Sequence, residues 1–496
     1  MKKTFIYSIV LILLFTTSCN KWLEVNPDNQ KTTKELFSSY TGFCDALNGC
    51  YIKLKHRDIY GEKLTMSNIE SLAQLWKPFD ANTNPTDYEL RNFLYTNDNA
   101  KKTISSIYAG LYNVIAQANM IIYNIDNRGK VIGDTTKRYM IAGEAYAIRA
   151  FCHFDILRLF GQLPQNASIQ VSLPYAETVS ATNLPKYYTY SQFVAKIEAD
   201  LNKAELLLKN NDPISKYTFT QLNGSVSNID DFLLYRQNRF NYWAVKALQA
   251  RFYLYTGNMQ KAYTVAKAII NAKGADNNAL MTLSGANDIS EGYIGCPSES
   301  LMMLNVYNLM DYSPEILGMG ADKIRESHYV VTVAQLNELF ANQGTASNNR
   351  YNSSWDRNTM DVSGKIYPTL KKYYYDVKAT TSTGSDMYRH QVIPLIRLSE
   401  VYLIAMESTT NLSEANALWT EYMLSHAVQI SGDTYNNLDA VKDGVLNEYR
   451  REFFGEGQMF FTYKRRAANS MLWRSSPVTE SNYIIPLPKS EFNPNK

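Results

Sequence analysis

Residues 247–272 read ALQARFYLYTGNMQKAYTVAKAIINA. Ala250, Tyr253, Gly257 and Ala262 set a small residue, an aromatic, a turn glycine and a second small residue at helical spacing. Small residues let two helices approach closely, and Gly257-Asn258 supplies the reversal between them. The stretch predicts a helix hairpin within 240–272.

The same period recurs on both sides. Residues 36–56 read as helix. From Ile104, Ile107, Leu111, Val114, Ile115 and Ala118 return at three and four. A helix from about Thr136 to Phe160 stops at Gly161, with Pro164 beyond. Residues 190–209 carry Phe193, Ile197, Leu201, Ala204 and Leu208 on one stripe. The 247–272 pattern is that of a tetratricopeptide unit, apart from Ala266 where a large aromatic is usual. A related pair is expected at 392–424 and another pair beginning at Leu446. The reading is a mostly α-helical scaffold interrupted by insertions. The longest, 273–390, is poor in period and rich in Gly, Asn, Ser and Tyr. A stretch of that length is usually functional.

The first residues have another character. Lys2 and Lys3 precede an uncharged apolar run, Phe5 to Phe15, then Thr16, Thr17 and Ser18 before Cys19. The run is shorter than the roughly 20 residues a spanning helix needs, so it reads as an export signal. Small residues followed by Cys resemble a bacterial lipobox, with Thr16 where Leu is usual. Cleavage before Cys19 would leave the thiol to carry lipid. Residues 20–35 read as an extended tether, with a helix start at Thr32-Thr33-Lys34-Glu35.

Composition excludes several classes. The 496-residue chain is 45% hydrophobic and 20% charged, which is globular. Removing Lys2 and Lys3 leaves 48 basic residues against 47 acidic, or +1, so nothing points to nucleic acid. Cys44, Cys50, Cys152 and Cys296 form no CxxC; Cys44 and Cys50 are either paired or buried thiols. There is no phosphate-binding GxxxxGK[ST], no HExxH and no GxSxG, and Gly318-Met319-Gly320 lacks a third glycine. His56, His153, His328, His390 and His426 are scattered. No cofactor is indicated, and a structural calcium has no spaced ligand loop to support it. Aromatic content of 13%, with 37 Tyr, suits an exposed binding face.

Seven segments then occur in one order: NKWLEVNPDNQKTTKELF (20–37), IYAGLYNVIAQANMII (107–122), AYAIRAFCHFDILRLFGQLP (145–164), IEADLNKAELLL (197–208), IRLSEVYLIAME (396–407), YRREFFGEGQMFFTYKRR (449–466) and IIPLPKSEFNPN (484–495). Together they resemble the SusD/RagB family of outer-membrane nutrient-binding lipoproteins of Bacteroidetes. Gly455, Met459 and Thr462 depart from the family pattern, as does the segment after Ala417; these read as repacking of a scaffold helix. The resemblance implies a SusD-like fold with four tetratricopeptide-like helix pairs. It implies a signal peptide over 1–18, a lipid-anchored tether over 19–35, and a single domain over 36–496, divided at 272/273. It further implies a cell-surface lipoprotein of the outer membrane that binds glycan without catalysis and serves a SusC-like TonB-dependent transporter. A peptide-capturing RagB-like protein and a surface glycoside-acting enzyme are the alternatives.

Sugar binding needs flat aromatic rings against C–H faces and polar groups for hydroxyls. The family's loop positions correspond here to 65–100 and 285–375. In the first, Trp76 is the expected platform, with Tyr88 beside it and Asp80 and Arg91 as polar contacts. In the second the candidates are Tyr293, Tyr307 and Trp355, with Asp356 and Arg357. Tyr307 lies in LMMLNVYNLM, which also reads as a buried strand. The KKYYYD run at 371–376 reads as a solvated face or a transporter contact.

Overall fold

The computed structural model describes residues 32–179, 184–224, 226–341, 343, 348–374, 389–428 and 434–492. Cys19 and the segment before Thr32 lie outside them. At Thr32 the expected helix start is present: Thr32 Oγ1 accepts from Glu35 N (3.2 Å), and Glu35 returns a carboxylate to Thr32 N (2.8 Å).

The principal helices are α1 (Tyr40–Leu54), α2 (Pro85–Arg91), α3 (Asp98–Arg128), α4 (Thr135–Phe160), α5 (Tyr190–Leu208), α6 (Tyr242–Thr256) and α7 (Met259–Ile270). In the second half come α8 (Leu309–Leu317), α9 (Val333–Phe340), α10 (Asn349–Ser353), α11 (Leu398–Ser408), α12 (Leu412–Ser425), α13 (Leu438–Glu452) and α14 (Met459–Arg465). The helices follow the apolar stripes. α4 packs between α3 and α5; α6 and α7 form the hairpin read from 247–272, and α7 packs on α11. Gly257 ends α6 at φ +84°, as the turn requires.

Paired charges staple these helices. Arg149 on α4 grips Asp200 on α5 through Nε (2.7 Å) and Nη2 (2.6 Å). Arg251 on α6 holds Glu400 on α11 through Nε and Nη2 (2.7 and 2.5 Å). Arg236, fully buried, bridges Glu144 and Asp212. Removing one member would strand the other in low dielectric, so these contacts fix which helices meet.

Three two-stranded antiparallel sheets are present among the described residues: β1 (Leu173–Tyr175) with β2 (Lys186–Tyr188), β3 (Ser300–Asn305) with β6 (Val392–Arg397), and β4 (Trp355–Asp356) with β5 (Thr369–Leu370). The strand β6 corrects the expectation of helix from 392. Val392 and Ile393 are β-branched, and Pro394 cannot donate to a helical ladder, so the chain runs extended until Leu398. Likewise α13 begins well before Leu446: Asn437 caps it, accepting from Ala440 N at 2.9 Å. Gly455 and Gly457 lie not in a scaffold helix but in the left-handed turn after α13, at φ +78° and +74°.

At Gly457 a Cβ would fall 2.0 Å from the carbonyl oxygen of Leu64. Gly457→Ala is therefore expected to cost more than about 2 kcal/mol, read as a lowered urea midpoint. A change below half that would show that the turn relaxes freely.

The four described cysteines are free and buried, so Cys44 and Cys50 are not bridged. The 273–390 insertion is built from short pieces laid on the helical core. Part of KKYYYD is interior: Lys372 Nζ donates to Glu456 (2.5 Å) and Tyr373 Oη to Gly455 O (2.7 Å); Tyr375 and Asp376 lie outside the described residues.

Candidate functional site

The predicted platform Trp76 is 0% exposed. Its Nε1 donates to Met66 O (3.1 Å), and its ring meets Phe454 and Tyr329 edge-on at 4.8 and 5.9 Å. Rings from the second half of the chain cover it, so no sugar can stack there. Arg91 is buried too. It donates to the carbonyls of Trp76 (2.9 Å) and Trp473 (3.4 Å), while burial, with Arg474 beside it, pulls its guanidinium down to about 10. Both are framework for the 65–100 loop. Asp80 is exposed, but its Oδ1 accepts from Asn82 N within its own turn (2.8 Å). Tyr88, on α2, is 37% exposed.

Trp355, Asp356 and Arg357 do come together, on an open depression of about 570 Å³ with Asn352, Asn358 and Lys371. Trp355 is again buried, edge-on to Phe454 at 5.1 Å. Asp356 accepts from Asn358 N (3.0 Å) and Thr359 Oγ1 (2.7 Å). Arg357 stretches over the ring of Tyr351 at 4.7 Å. Tyr351 donates to Asn337 (2.7 Å), and on the next residue of α9, Glu338 accepts from Trp473 Nε1 (2.9 Å). Tyr351 and Trp473 thus continue this surface towards Arg91. Sequence reasoning passed over both.

Tyr307 stands just past β3 and is 83% exposed, so the buried-strand reading stops at Asn305. It meets none of the other candidates. Tyr293 belongs to a different and larger place. The Arg389 guanidinium lies 3.7 Å over its ring, and Arg389 is on the wall of an open cleft of about 880 Å³. The cleft runs between residues 218–223, the 276–282 loop and Ser298.

Its chemistry is mostly neutral: Thr218, Thr220, Gln221, Asn223, Thr282 and Ser298 supply hydroxyls and amides. Asn223 donates to Gln237 (3.0 Å), which donates to the Ser300 carbonyl (2.7 Å), fixing the floor. Of the two charged residues on the wall, Asp276 is engaged by Asn278, whose side chain and backbone N–H lower its pKa. Arg389 donates to Ser298 (3.0 Å) and lies 3.4 Å from Asp288. Burial raises the pKa of that carboxylate although Ser298 and Arg389 oppose it. The Thr220 and Thr282 hydroxyls and the Gln221 side-chain NH₂ have no protein partner among the described residues, so they are available to a ligand. No signal in the sequence marks these residues, because isolated Thr and Gln in loops look like ordinary surface.

Helix hairpins with clefts borne on loops define an α-helical scaffold whose working surface is carried by insertions. No helix among the described residues is long and apolar enough to cross a membrane. Residues 21–224 match a SusD-like family model described as starch-binding, associating with outer membrane, and residues 250–496 match the SusD family model; the chain belongs to the SusD/RagB family. It is 24% identical to SusD-like protein P2 of Formosa agariphila over 99% of this chain and 95% of that one. A SusD superfamily crystal structure from Bacteroides thetaiotaomicron superposes with TM-score 0.71 at 22% identity, covering 92% of this chain and 98% of that one. A laminarin-binding SusD-like protein superposes with TM-score 0.59 at 17% identity, covering 92% and 97%.

Proposed function

We propose that this chain is a non-catalytic outer-membrane lipoprotein, anchored through Cys19, that captures a neutral glycan and passes it to a SusC-like TonB-dependent transporter. The carrying observation is the large cleft. Its available groups are hydroxyls and an amide, and its charges are engaged by the protein itself. Such a wall suits a ligand rich in neutral hydroxyls; a peptide with charged termini would find no unpaired charge to meet. Family membership and the laminarin-binding neighbour point the same way. No cofactor enters this reading.

The test is calorimetric titration of the chain starting at Asn20 against neutral glucans, acidic polysaccharides and peptides. A neutral glycan is expected to bind without release of reducing sugar. Gln221→Ala with Thr282→Ala removes two hydrogen bonds of about 1 kcal/mol each and should weaken binding at least tenfold. Arg357→Ala, on the smaller depression, should leave it unchanged. The reverse pattern would move the site to 351–358. Binding of peptides alone would make this a peptide-capturing relative, and liberated sugar would make it an enzyme.

A further inference from the structure

A third cleft, of about 710 Å³, lies at the end of α3, where Arg128, Lys130 and Arg138 line it together with Lys34. Lys34, Arg128 and Lys130 are exposed and Arg138 is half-buried. None of the four has a carboxylate within 4 Å among the described residues. Lys137, beside Arg138, does have such a partner, Asp230 (2.5 Å). Asp126 is the acidic residue on the wall. Nearby, Glu35 is engaged by Thr32 and Asp134 caps α4. The cleft therefore keeps a cationic surplus in a chain whose overall charge almost cancels. Its rim is amphipathic. Val131 is 48% exposed, and Arg138 sits over the exposed ring of Tyr139 at 5.3 Å.

Position identifies the partner. Lys34 is two residues from Thr32, where the described chain begins, and Cys19 lies thirteen residues earlier. Lys34 itself is fifteen residues from Cys19, so at about 3.4 Å per residue the anchor cannot be more than ~51 Å from this cleft. Unpaired Lys and Arg beside Tyr and Val are the side chains that settle on a charged membrane interface. We propose that the cleft docks on anionic lipid headgroups of the membrane that holds the anchor. It gives the body a second, electrostatic contact that orients the glycan cleft. The proposal rests on the lipoprotein reading for its geometry, while its test does not require lipid on Cys19.

The core described above is built within residues 32–492, so a chain starting at Asn20 retains it. That chain is sedimented with vesicles of phosphatidylcholine alone or with about 30% phosphatidylglycerol, at low salt and at 0.5 M NaCl. Each cation near an anionic surface is worth roughly fivefold in partitioning. Binding is expected only to the anionic vesicles, to vanish at high salt, and to fall more than tenfold in the Lys34→Glu, Arg128→Glu, Lys130→Glu variant, with glycan titration unchanged. Equal sedimentation with both vesicle types, none with either, or insensitivity to the charge reversal would overturn the docking surface. Intact mass of the membrane-extracted full-length protein tests acylation separately, so failure of the anchor and failure of the surface are distinguishable.

Discussion

Arg397→Met is expected to lower unfolding stability by roughly 3–5 kcal/mol. Arg397, buried at the end of β6, is surrounded by acids. Its Nη1 donates to Glu299 (2.7 Å) and Glu452 (2.6 Å), and its Nη2 and Nε to Glu456 (2.8 and 3.1 Å). Arg350 reaches Glu448 and Glu452 at 2.8 Å from α10, and Lys372 meets Glu456 at 2.5 Å. Burial alone would raise Glu448, but Arg350 and Arg451 hold it down to about 2. The network ties β3, β6, α10 and α13 together beneath the insertion. A methionine fills the space but leaves Glu299 with Ser399 Oγ (2.5 Å) and Ser284 N (3.2 Å). Urea unfolding reads the loss as a lowered midpoint at constant slope. Arg397→Lys, which keeps the charge without the planar fork, should fall between. The deficit should shrink towards pH 4, as the abandoned carboxylates take up protons. A loss below 1 kcal/mol, or one independent of pH, would mean that Arg397 does not carry these charges.

That network also marks where the sequence stopped being legible. The hairpin at α6–α7 and the long helices α3, α4 and α5 were readable because a 3.6-residue period is local. β6 was not: Val392–Arg397 is uniformly buried, and a short apolar run looks alike in strand and helix. Trp76 was misread for a related reason. A Trp before Lys77-Pro78 in a loop looks like a platform until Tyr329 and Phe454, more than 250 residues later, close over it. Of the candidates, Trp355, Asp356 and Arg357 lie on one depression because they are adjacent in the chain. The large cleft joins 218–223 to 276–298 and Arg389, a juxtaposition made by tertiary contacts between polar residues that carry no periodic signal; Tyr293 alone pointed towards it.

Glu70→Gln is expected to stabilise the protein, by an amount that grows with pH. Glu70 is fully buried. Its Oε1 accepts from Gly457 N (2.7 Å), and its Oε2 has no partner among the described residues. Burial raises its pKa to about 8, although the Gly457 N–H and Lys372 oppose the shift. In the unfolded chain the group titrates near 4.5. Between these values the native state keeps a proton that the unfolded state has released. The stability Glu70 contributes is thus fully present below about pH 4.5 and drains away as pH rises through 8, by about 1.4 kcal/mol per pH unit. Glutamine has the shape of the protonated acid and no proton to lose. The variant should match the parent at pH 4.5 and exceed it progressively up to pH 8. His426, which burial holds down to about 4, makes both proteins less stable as pH falls below 6.5, so it cancels in the difference. Paired urea titrations at half-unit steps of pH measure that difference directly. A margin that stays flat would show that Glu70 is ionised in the folded protein, with Lys372 as the counter-charge, and that the contact to Gly457 is held by an ion rather than by a neutral acid.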